Sequence, residues 1–296
     1  MFSTALKIFE EKWKSYRHRF VPWIALNLRK NERTLRQVTK RSQDKLVPDE
    51  EVTETLLRLF RALFRNDLVN QGDVLSQLPT STQTHYLGQQ NNGKETTEEA
   101  GRVDGPKRGF DLMLHNVGFC LERQPSTLPF GGTGVFVTKG WVPKGVTVAM
   151  YPGTVYQPYD PILFQSIRNP FVFRCIDCVL IDGNDKGISK MVYRSCSGRD
   201  RLGPLTLSDT TWLTTNPVNP LAVGQYVNNC TNEWAANVCY QEYDVPDEFP
   251  LELRQYLPNV NYTHDAQRPL RCVVLVSLQN IHPGEELFSN YYTIVH

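Results

Sequence analysis

The chain has 296 residues, 40% of them hydrophobic, so it has room for one large domain or two modest ones, each with a packed core. Its formal net charge is +1. It contains no run of eighteen apolar residues, and its amino end lacks the apolar core of a secretory signal. These features argue against a membrane span and predict an intracellular protein, in the nucleus or the cytoplasm, that is not secreted.

Charge is distributed unevenly along the chain. Residues 1–45 contain twelve Lys or Arg and four Asp or Glu, whereas the remainder contains 20 basic and 27 acidic residues. The basic segment suits nucleic acid, an acidic membrane surface or the acidic remainder of the chain, and a solvated helical surface explains it equally well. Trp13, Tyr16 and Trp23 lie among these charges, a pattern also found in proteins that bind single-stranded nucleic acid.

Residues 1–75 predict a basic, amphipathic helical region. One or two helices are expected before residue 45, with a break at Pro22 and an apolar stripe of Phe2, Leu6, Phe9, Trp13, Tyr16 and Phe20. This stripe also fits a mitochondrial presequence, although Glu10 and Glu11 are atypical of one. A second helix begins at Pro48, and its stripe is Val52, Leu56, Leu59, Phe60, Leu63 and Phe64. The second stripe predicts packing against the main domain or the first helix, with a partner-binding groove as the alternative.

The amino-acid composition of the sequence changes after the helical region. Residues 76–108 are rich in Gln, Asn, Thr, Gly and Glu and predict a linker or a disordered loop. Beyond them, short β-branched and aromatic runs predict strands at 134–138, 146–151, 171–173, 178–181, 238–243 and 271–278. The strand signal weakens over 184–220, which indicates an irregular insertion, and 245–258 has room for a short helix. The predicted fold class is therefore α+β, mainly β.

Seven cysteines at irregular spacing predict free, buried thiols rather than a disulfide framework. Cys175-Ile176-Asp177-Cys178 is the only CxxC pair, and no second pair with metal-like spacing follows it. The sequence therefore predicts no metal site, and it specifies no oligomeric state.

Three segments carry glycines, amides and aromatic residues in a fixed order. The first is Gly132-Thr133-Gly134, followed by Pro143-Lys144-Gly145 and Tyr151-Pro152-Gly153. The second is Tyr226-Val227-Asn228-Asn229-Cys230-Thr231, and the third is Ile281-His282-Pro283-Gly284-Glu285-Glu286-Leu287 with Asn290-Tyr291. In order and spacing, these segments resemble the motifs of SET-domain lysine methyltransferases over residues 122–295. The resemblance implies a SET domain of short curved sheets with pseudoknot-like C-terminal threading, preceded here by the N-terminal helical region.

The resemblance also implies chemistry. SET-domain enzymes transfer a methyl group from S-adenosyl-L-methionine to lysine, so the chain is similar to a protein-lysine N-methyltransferase whose partner is a lysine-bearing protein. The cofactor contacts carried over by the resemblance are Gly132, Thr133, Gly134, Asn228, Asn229 and Tyr291. Tyr291 also matches the catalytic tyrosine. Aromatic candidates for a channel that desolvates the substrate amine are Tyr226, Tyr240, Phe288 and Tyr292.

Several departures from the family pattern concern activity. Asn229 stands where the family has His, Cys230-Thr231 where it has Ser-Cys, and Asn290 where it has an acid. The zinc-binding cysteine cluster of many relatives does not follow Tyr291, so the N-terminal helices or the 184–220 insertion are expected to close the lysine channel. The alternative to an enzyme is a SET-fold binding module, catalytically weak or inactive, that recruits a partner through its N-terminal helices.

Overall fold

The computed structural model describes residues 17–18, 36–38, 45–91, 109–264 and 268–295. The helices in these ranges are α1 (Asp49–Asn66), α2 (Gly72–Gln77), α3 (Thr80–Asn91), α4 (Gly109–Val117), α5 (Leu163–Ser166) and α6 (Gly187–Arg199). Short 3₁₀ helices occur at Leu68–Gln71, Thr211–Leu213, Gly224–Tyr226 and Leu251–Tyr256. Within the same ranges, no helix is both long enough and apolar enough to cross a membrane.

Most strands are short. They are β1 (Arg17–His18), β2 (Arg36–Val38), β3 (Phe119–Pro125), β4 (Thr133–Gly140), β5 (Thr147–Tyr151), β6 (Gly153–Tyr156), β7 (Val172–Arg174), β8 (Leu180–Asp182), β9 (Asn228–Asn229), β10 (Val238–Asp244), β11 (Asn259–Asn261), β12 (Arg271–Ser277), β13 (Phe288–Ser289) and β14 (Tyr292–Val295). They form a five-stranded sheet β5-β12-β10-β13-β9, a four-stranded sheet β11-β6-β8-β7, a hairpin β3-β4 and a three-stranded sheet β1-β14-β2. The predicted α+β, mainly β class is confirmed.

The carboxyl-terminal segment enters the five-stranded sheet between β10 and the edge strand β9. β13 pairs in parallel with β10 on one side and with β9 on the other. Since β9 and β10 follow each other in sequence, residues 230–237 must pass around β13 to connect them. Such crossing is rare in proteins, and it is the arrangement that the predicted threading requires.

Helix α1 packs on the main domain, as its apolar stripe predicted. Acidic residues occupy its first turn and Arg65 its last, which suits the helix dipole. Its buried side chains are those of the predicted stripe, Val52, Leu56, Leu59, Phe60, Leu63 and Phe64. The Phe60 ring lies 5.5 Å from the Tyr256 ring, and Thr53 Oγ1 lies 2.8 Å from the Tyr243 hydroxyl on β10. The helix therefore belongs to the core of the sheet domain.

Two polar stretches are more helical than the sequence predicted. Helix α3 occupies part of the 76–108 stretch that we expected to be a linker or loop, and its one buried side chain among those described is Tyr86. The Tyr86 hydroxyl donates to Glu252 at 2.9 Å. Helix α6 lies inside the 184–220 stretch that we expected to be irregular, and its buried face includes Ser189 and Ser197. Neither helix has a continuous apolar stripe, so sequence periodicity did not reveal it. Specific tertiary contacts stabilise both helices instead.

The amino-terminal prediction is corrected where the structure describes it. Residues 17–18 and 36–38 form strands β1 and β2 rather than helix, and both pair with β14. The rest of the predicted helices of residues 1–45, including the stripe that begins at Phe2, lies outside the described residues. The pairing partner is more than 250 residues away in sequence, which is why local periodicity did not reveal it.

Candidate active site

The three motif segments meet at one place in the structure. Residues 284–287 run alongside β4, with the Leu287 N–H donating to the Val135 carbonyl and the Val137 N–H donating to the Glu285 carbonyl. The chain then continues into β13, where Phe288 pairs with Asn228 and Ser289 with Asn229. Backbone pairing therefore brings the Gly-x-Gly strand, the Asn-Asn strand and the segment that leads to Tyr291 together.

The Asn228 side chain links two of these segments. Its Nδ2 donates to the Thr133 carbonyl at 3.2 Å and to Glu286 Oε1 at 3.1 Å. An amide NH₂ has two hydrogens, so both are used by these contacts and Oδ1 is the atom that can accept from a ligand. The residue is only half-buried, which leaves that oxygen within reach of solvent.

The buried Glu286 carboxylate is the centre of a hydrogen-bond cluster whose other members are half-buried or exposed. Besides Asn228, its carboxylate accepts from Ser126 Oγ at 2.7 Å, from the Thr127 N–H at 2.8 Å and from Thr127 Oγ1 at 2.6 Å. A methyl group at Gly134 would lie 2.2 Å from Glu286 Oε1, so only glycine fits beside the carboxylate. Four hydrogen-bond donors therefore surround this carboxylate, and the described contacts place no cation beside it.

Tyr291 is held at its hydroxyl and at its backbone by the Asn-Asn segment. The hydroxyl donates to the Val227 carbonyl at 2.9 Å, and the Tyr291 N–H donates to Asn229 Oδ1, also at 2.9 Å. Asn229, the residue that departs from the family pattern, therefore positions the tyrosine backbone. The two contacts fix both the ring and its chain segment against the 227–229 stretch.

The two other departures contact each other. The Cys230 thiol donates to Asn290 Oδ1 at 2.8 Å, and the Cys230 N–H donates to the Ser289 carbonyl at 3.0 Å. A neutral amide at position 290 is a suitable acceptor for a buried thiol, whereas an acid there would place a charge against it. The Cys230–Asn290 contact and the Asn229–Tyr291 contact thus both join residues 229–230 to residues 290–291.

We expect Asn229→Ala to lower about tenfold the turnover number of the methyl transfer that the resemblance implies, because the half-buried Tyr291 N–H loses its acceptor and the ring loses its position. Asn229→Asp keeps an acceptor oxygen and should retain more turnover than Asn229→Ala. Initial rates with labelled cofactor measure both. Equal rates for Asn229→Ala and the unchanged chain would show that the contact does not position Tyr291.

The aromatic channel candidates divide into two groups. The Tyr240 ring is fully buried, 5.0 Å from the Phe173 ring and 6.0 Å from the Tyr151 ring, and its hydroxyl makes a weak 3.5 Å contact with the Val227 carbonyl. Burial, and after it the nearby Tyr240 and Tyr291 hydroxyls, raises the pKa of Tyr151 well above its usual value. Tyr151 therefore stays neutral, and Tyr240 is a buried aromatic residue packed against it.

Of the other candidates, Tyr226 is half-buried and Phe288 is buried. The Tyr226 hydroxyl donates to Asp185 Oδ2 at 2.6 Å, and the Arg123 guanidinium lies 5.3 Å from its ring. Burial, followed by the Asp185 contact, raises the pKa of Tyr226 to about 12. The buried Phe288 ring stacks on the Trp234 ring at 5.9 Å. Tyr292 lies in β14 directly after Tyr291, and its side chain is outside the described residues.

One cluster outside this region has the composition of a metal site. Cys175 Sγ and carboxylate oxygens of Asp177 and Glu242 all lie within 4.8 Å of one another. The Arg271 guanidinium already contacts these acids, at 2.7 Å from Glu242 and 3.0 Å from Asp177, and it also contacts Asp244. A bound cation would compete with that guanidinium for the same oxygens, so ion pairing accounts for the cluster.

Glu286, Ser126 and Thr127 are site residues that the sequence did not single out. Glu286 lies within the third motif segment, next to Glu285, and the resemblance assigned no role to either residue. The structure separates them, because Glu285 is exposed and Glu286 is buried. A strand places neighbouring side chains on opposite faces, so the buried Leu287 alone would not have shown that Glu286 is also covered.

Sequence relatives assign the chain to a family. It is 59% identical over 288 residues to SET domain-containing protein 9 of Homo sapiens, and the alignment covers 96% of each chain. Identity to the protein of the same name in Pongo abelii is 58% over 265 residues, covering 88% of this chain and 97% of that relative. No family model matches the chain. With the threaded sheet and the three converging motifs, these relatives define a SET-domain protein. The chain belongs to the family of SET domain-containing protein 9.

Three solved structures show local likeness to the chain. ctPRC2 bound to S-adenosylmethionine matches 58% of this chain and 15% of its own at 14% identity, with a TM-score of 0.34. KRYPTONITE in complex with DNA, a peptide and SAH matches 58% of this chain and 23% of its own at 20% identity, with a TM-score of 0.31. ATXR5 in complex with a histone matches 73% of this chain and 67% of its own at 14% identity, with a TM-score of 0.30. These TM-scores are low, so the family assignment depends on the two sequence relatives.

Proposed function

We propose that the chain is an S-adenosyl-L-methionine-dependent protein-lysine N-methyltransferase with Tyr291 as its catalytic tyrosine. The observation that supports this proposal most is the convergence of segments 132–134, 227–229 and 284–291, which lie far apart in sequence. Membership of the SET domain-containing protein 9 family supports it independently.

The residues around Asn228 fit the amino-acid end of the cofactor. Asn228 Oδ1 is an acceptor whose own amide hydrogens are engaged by Thr133 and Glu286, which suits it to an ammonium group. Gly132 has a φ of 65° and open space around its Cα, so a ligand can approach the backbone there closely. The cofactor supplies an electrophilic methyl group when it is bound.

The residues around Tyr291 fit the attacking amine. A free lysine has a pKa of about 10.4 and is protonated at neutral pH, so the site must favour its neutral form. Tyr291 donates its hydroxyl hydrogen to Val227, which leaves the oxygen acting as an acceptor toward an amine N–H and a methyl C–H. Tyr226, with its pKa of about 12, stays neutral and serves as a wall rather than as a base. Positioning and desolvation then supply most of the rate.

Methyl transfer to cell-extract proteins tests this function. We expect the full chain, incubated with cell extract and tritium-labelled S-adenosylmethionine, to transfer the label to a protein of the extract. The label should be present as acid-stable methyl groups on lysine. Calorimetry with S-adenosylhomocysteine is the companion measurement, because a methyltransferase must bind the product as well as the cofactor. Cofactor binding without labelling would favour the binding-module alternative, and absence of both at millimolar ligand would refute the proposed cofactor.

A further inference from the structure

Phe130 is an aromatic residue in an unusual position. It lies in the loop between β3 and β4, and its relative exposure is 107%, the highest among the exposed large hydrophobic residues of the described chain. Its backbone φ is 64°, in the left-handed region that disfavours a residue with a Cβ. An exposed aromatic ring gains nothing from burial, and the left-handed backbone adds a conformational cost. Strain of this kind is concentrated at ligand-contact sites in proteins.

The loop that carries Phe130 is tightly held at its base. The Ser126 N–H donates to the Gly132 carbonyl at 2.8 Å, and the Gly131 N–H donates to the Leu128 carbonyl at 2.9 Å. The Ser126 hydroxyl also donates to the buried Glu286 carboxylate. These hydrogen bonds therefore hold the turn that carries Phe130 in one conformation.

The same loop leads directly into the candidate cofactor site. Gly132 and Thr133 follow Phe130 in sequence, and the Thr133 carbonyl accepts from the Asn228 side chain at 3.2 Å. Glu286 bonds both the base of the loop, through Ser126 and Thr127, and Asn228. One carboxylate thus fixes the exposed ring relative to the amide proposed to hold the amino-acid end of the cofactor.

We propose that the Phe130 ring stacks on the purine of S-adenosylmethionine and so contributes affinity for the cofactor. This inference rests on the proposed function, since it needs the cofactor to bind beside Asn228. A purine offers a flat π face, and base stacking on an aromatic side chain changes affinity about tenfold or more. Stacking would cover the ring and offset the cost of its exposed, left-handed position.

Phe130→Gly tests the proposal, because it removes the ring and also the unfavourable Cβ. We expect the dissociation constant for S-adenosylhomocysteine, measured by calorimetry on the full chain, to rise about tenfold. The Tm of the unliganded protein should be no lower than that of the unchanged chain, because glycine adopts a positive φ freely. Loss of affinity without loss of stability separates a ligand contact from a structural role.

Two further variants complete the experiment. Phe130→Tyr keeps the aromatic face and should retain the dissociation constant within about twofold. Arg168→Gly removes a Cβ at another exposed, left-handed position, with φ 51°, and should leave affinity unchanged. If the unchanged chain binds S-adenosylhomocysteine and Phe130→Gly binds it equally well, the stacking is refuted while the proposed function stands. If the unchanged chain does not bind it, both are refuted.

Discussion

Replacing Tyr291 with phenylalanine is expected to reduce methyl transfer on the order of a hundredfold, while the dissociation constant for S-adenosylhomocysteine changes by no more than about twofold. The substitution keeps the ring and removes the oxygen that donates to the Val227 carbonyl and that we propose accepts from the reacting groups. An interaction that matters in the transition state lowers turnover without an equal loss of binding. Single-turnover rates with labelled cofactor, together with calorimetry, measure the two quantities separately.

Tyr243→Phe is the matched control for this variant. Tyr243 is buried whereas Tyr291 is half-buried, and the Tyr243 hydroxyl lies 2.8 Å from Thr53 Oγ1 on the side of β10 that faces α1. Both variants remove one hydroxyl hydrogen bond, at a cost to stability of about 1 kcal/mol each. If both reduce methyl transfer equally, or if Tyr291→Phe leaves it unchanged, Tyr291 has no catalytic role.

The position of Tyr291 gives the departures from the family pattern a physical meaning. Taken from the sequence alone, Asn229 and Asn290 argued for lost activity, because a histidine and an acid were expected there. In the folded chain, Asn229 Oδ1 accepts from the Tyr291 N–H, and Asn290 Oδ1 accepts from the Cys230 thiol. The replacements therefore preserve a hydrogen-bonded frame around the tyrosine, which favours the enzyme over the inactive binding module.

Local patterns predicted the elements whose stability is local in origin. Helix α1 has acids in its first turn and an apolar stripe, so periodicity alone located it, and strands β4, β5, β10 and β12 were each predicted from β-branched runs. Helix α3 escaped prediction, since Tyr86 is its one buried side chain among those described and the Glu252 partner of that hydroxyl lies 166 residues away. Strands β1 and β2 escaped because their partner is at the opposite end of the chain.

Part of the candidate site was also predictable from the sequence. The order of the motifs predicted Gly134, Asn228 and Tyr291 as site residues; the structure brings their segments together, and their roles stay predictions. The sequence did not show that Glu286 bonds Asn228 or that Asn229 bonds the Tyr291 backbone, since these contacts span 58 and 62 residues. Only the threading of β13 between β9 and β10 creates them.

That threading makes Glu286 the residue whose replacement should most disturb the cofactor site that we propose beside Asn228. In Glu286→Gln, one oxygen becomes an NH₂ group, which then faces donors from Ser126 and Asn228 or from Thr127. We expect the free energy of unfolding to fall by about 1–2 kcal/mol, because half-buried donors lose a carboxylate acceptor. The dissociation constant for S-adenosylhomocysteine should rise about tenfold or more, since Asn228 and the Ser126–Gly132 turn lose their common anchor.

Glu285→Gln is the matched control, because it makes the same chemical change one residue earlier. Glu285 is exposed, and its carboxylate accepts from the His282 N–H at 2.6 Å in the turn before β13. A surface change of this kind usually alters stability by less than about 0.5 kcal/mol, and it should leave cofactor affinity unchanged. Urea unfolding and calorimetry on both variants give the comparison. If Glu286→Gln behaves like Glu285→Gln in both measurements, the buried carboxylate does not organise the site, and Asn228 must be positioned by the backbone of β9 and β13 alone.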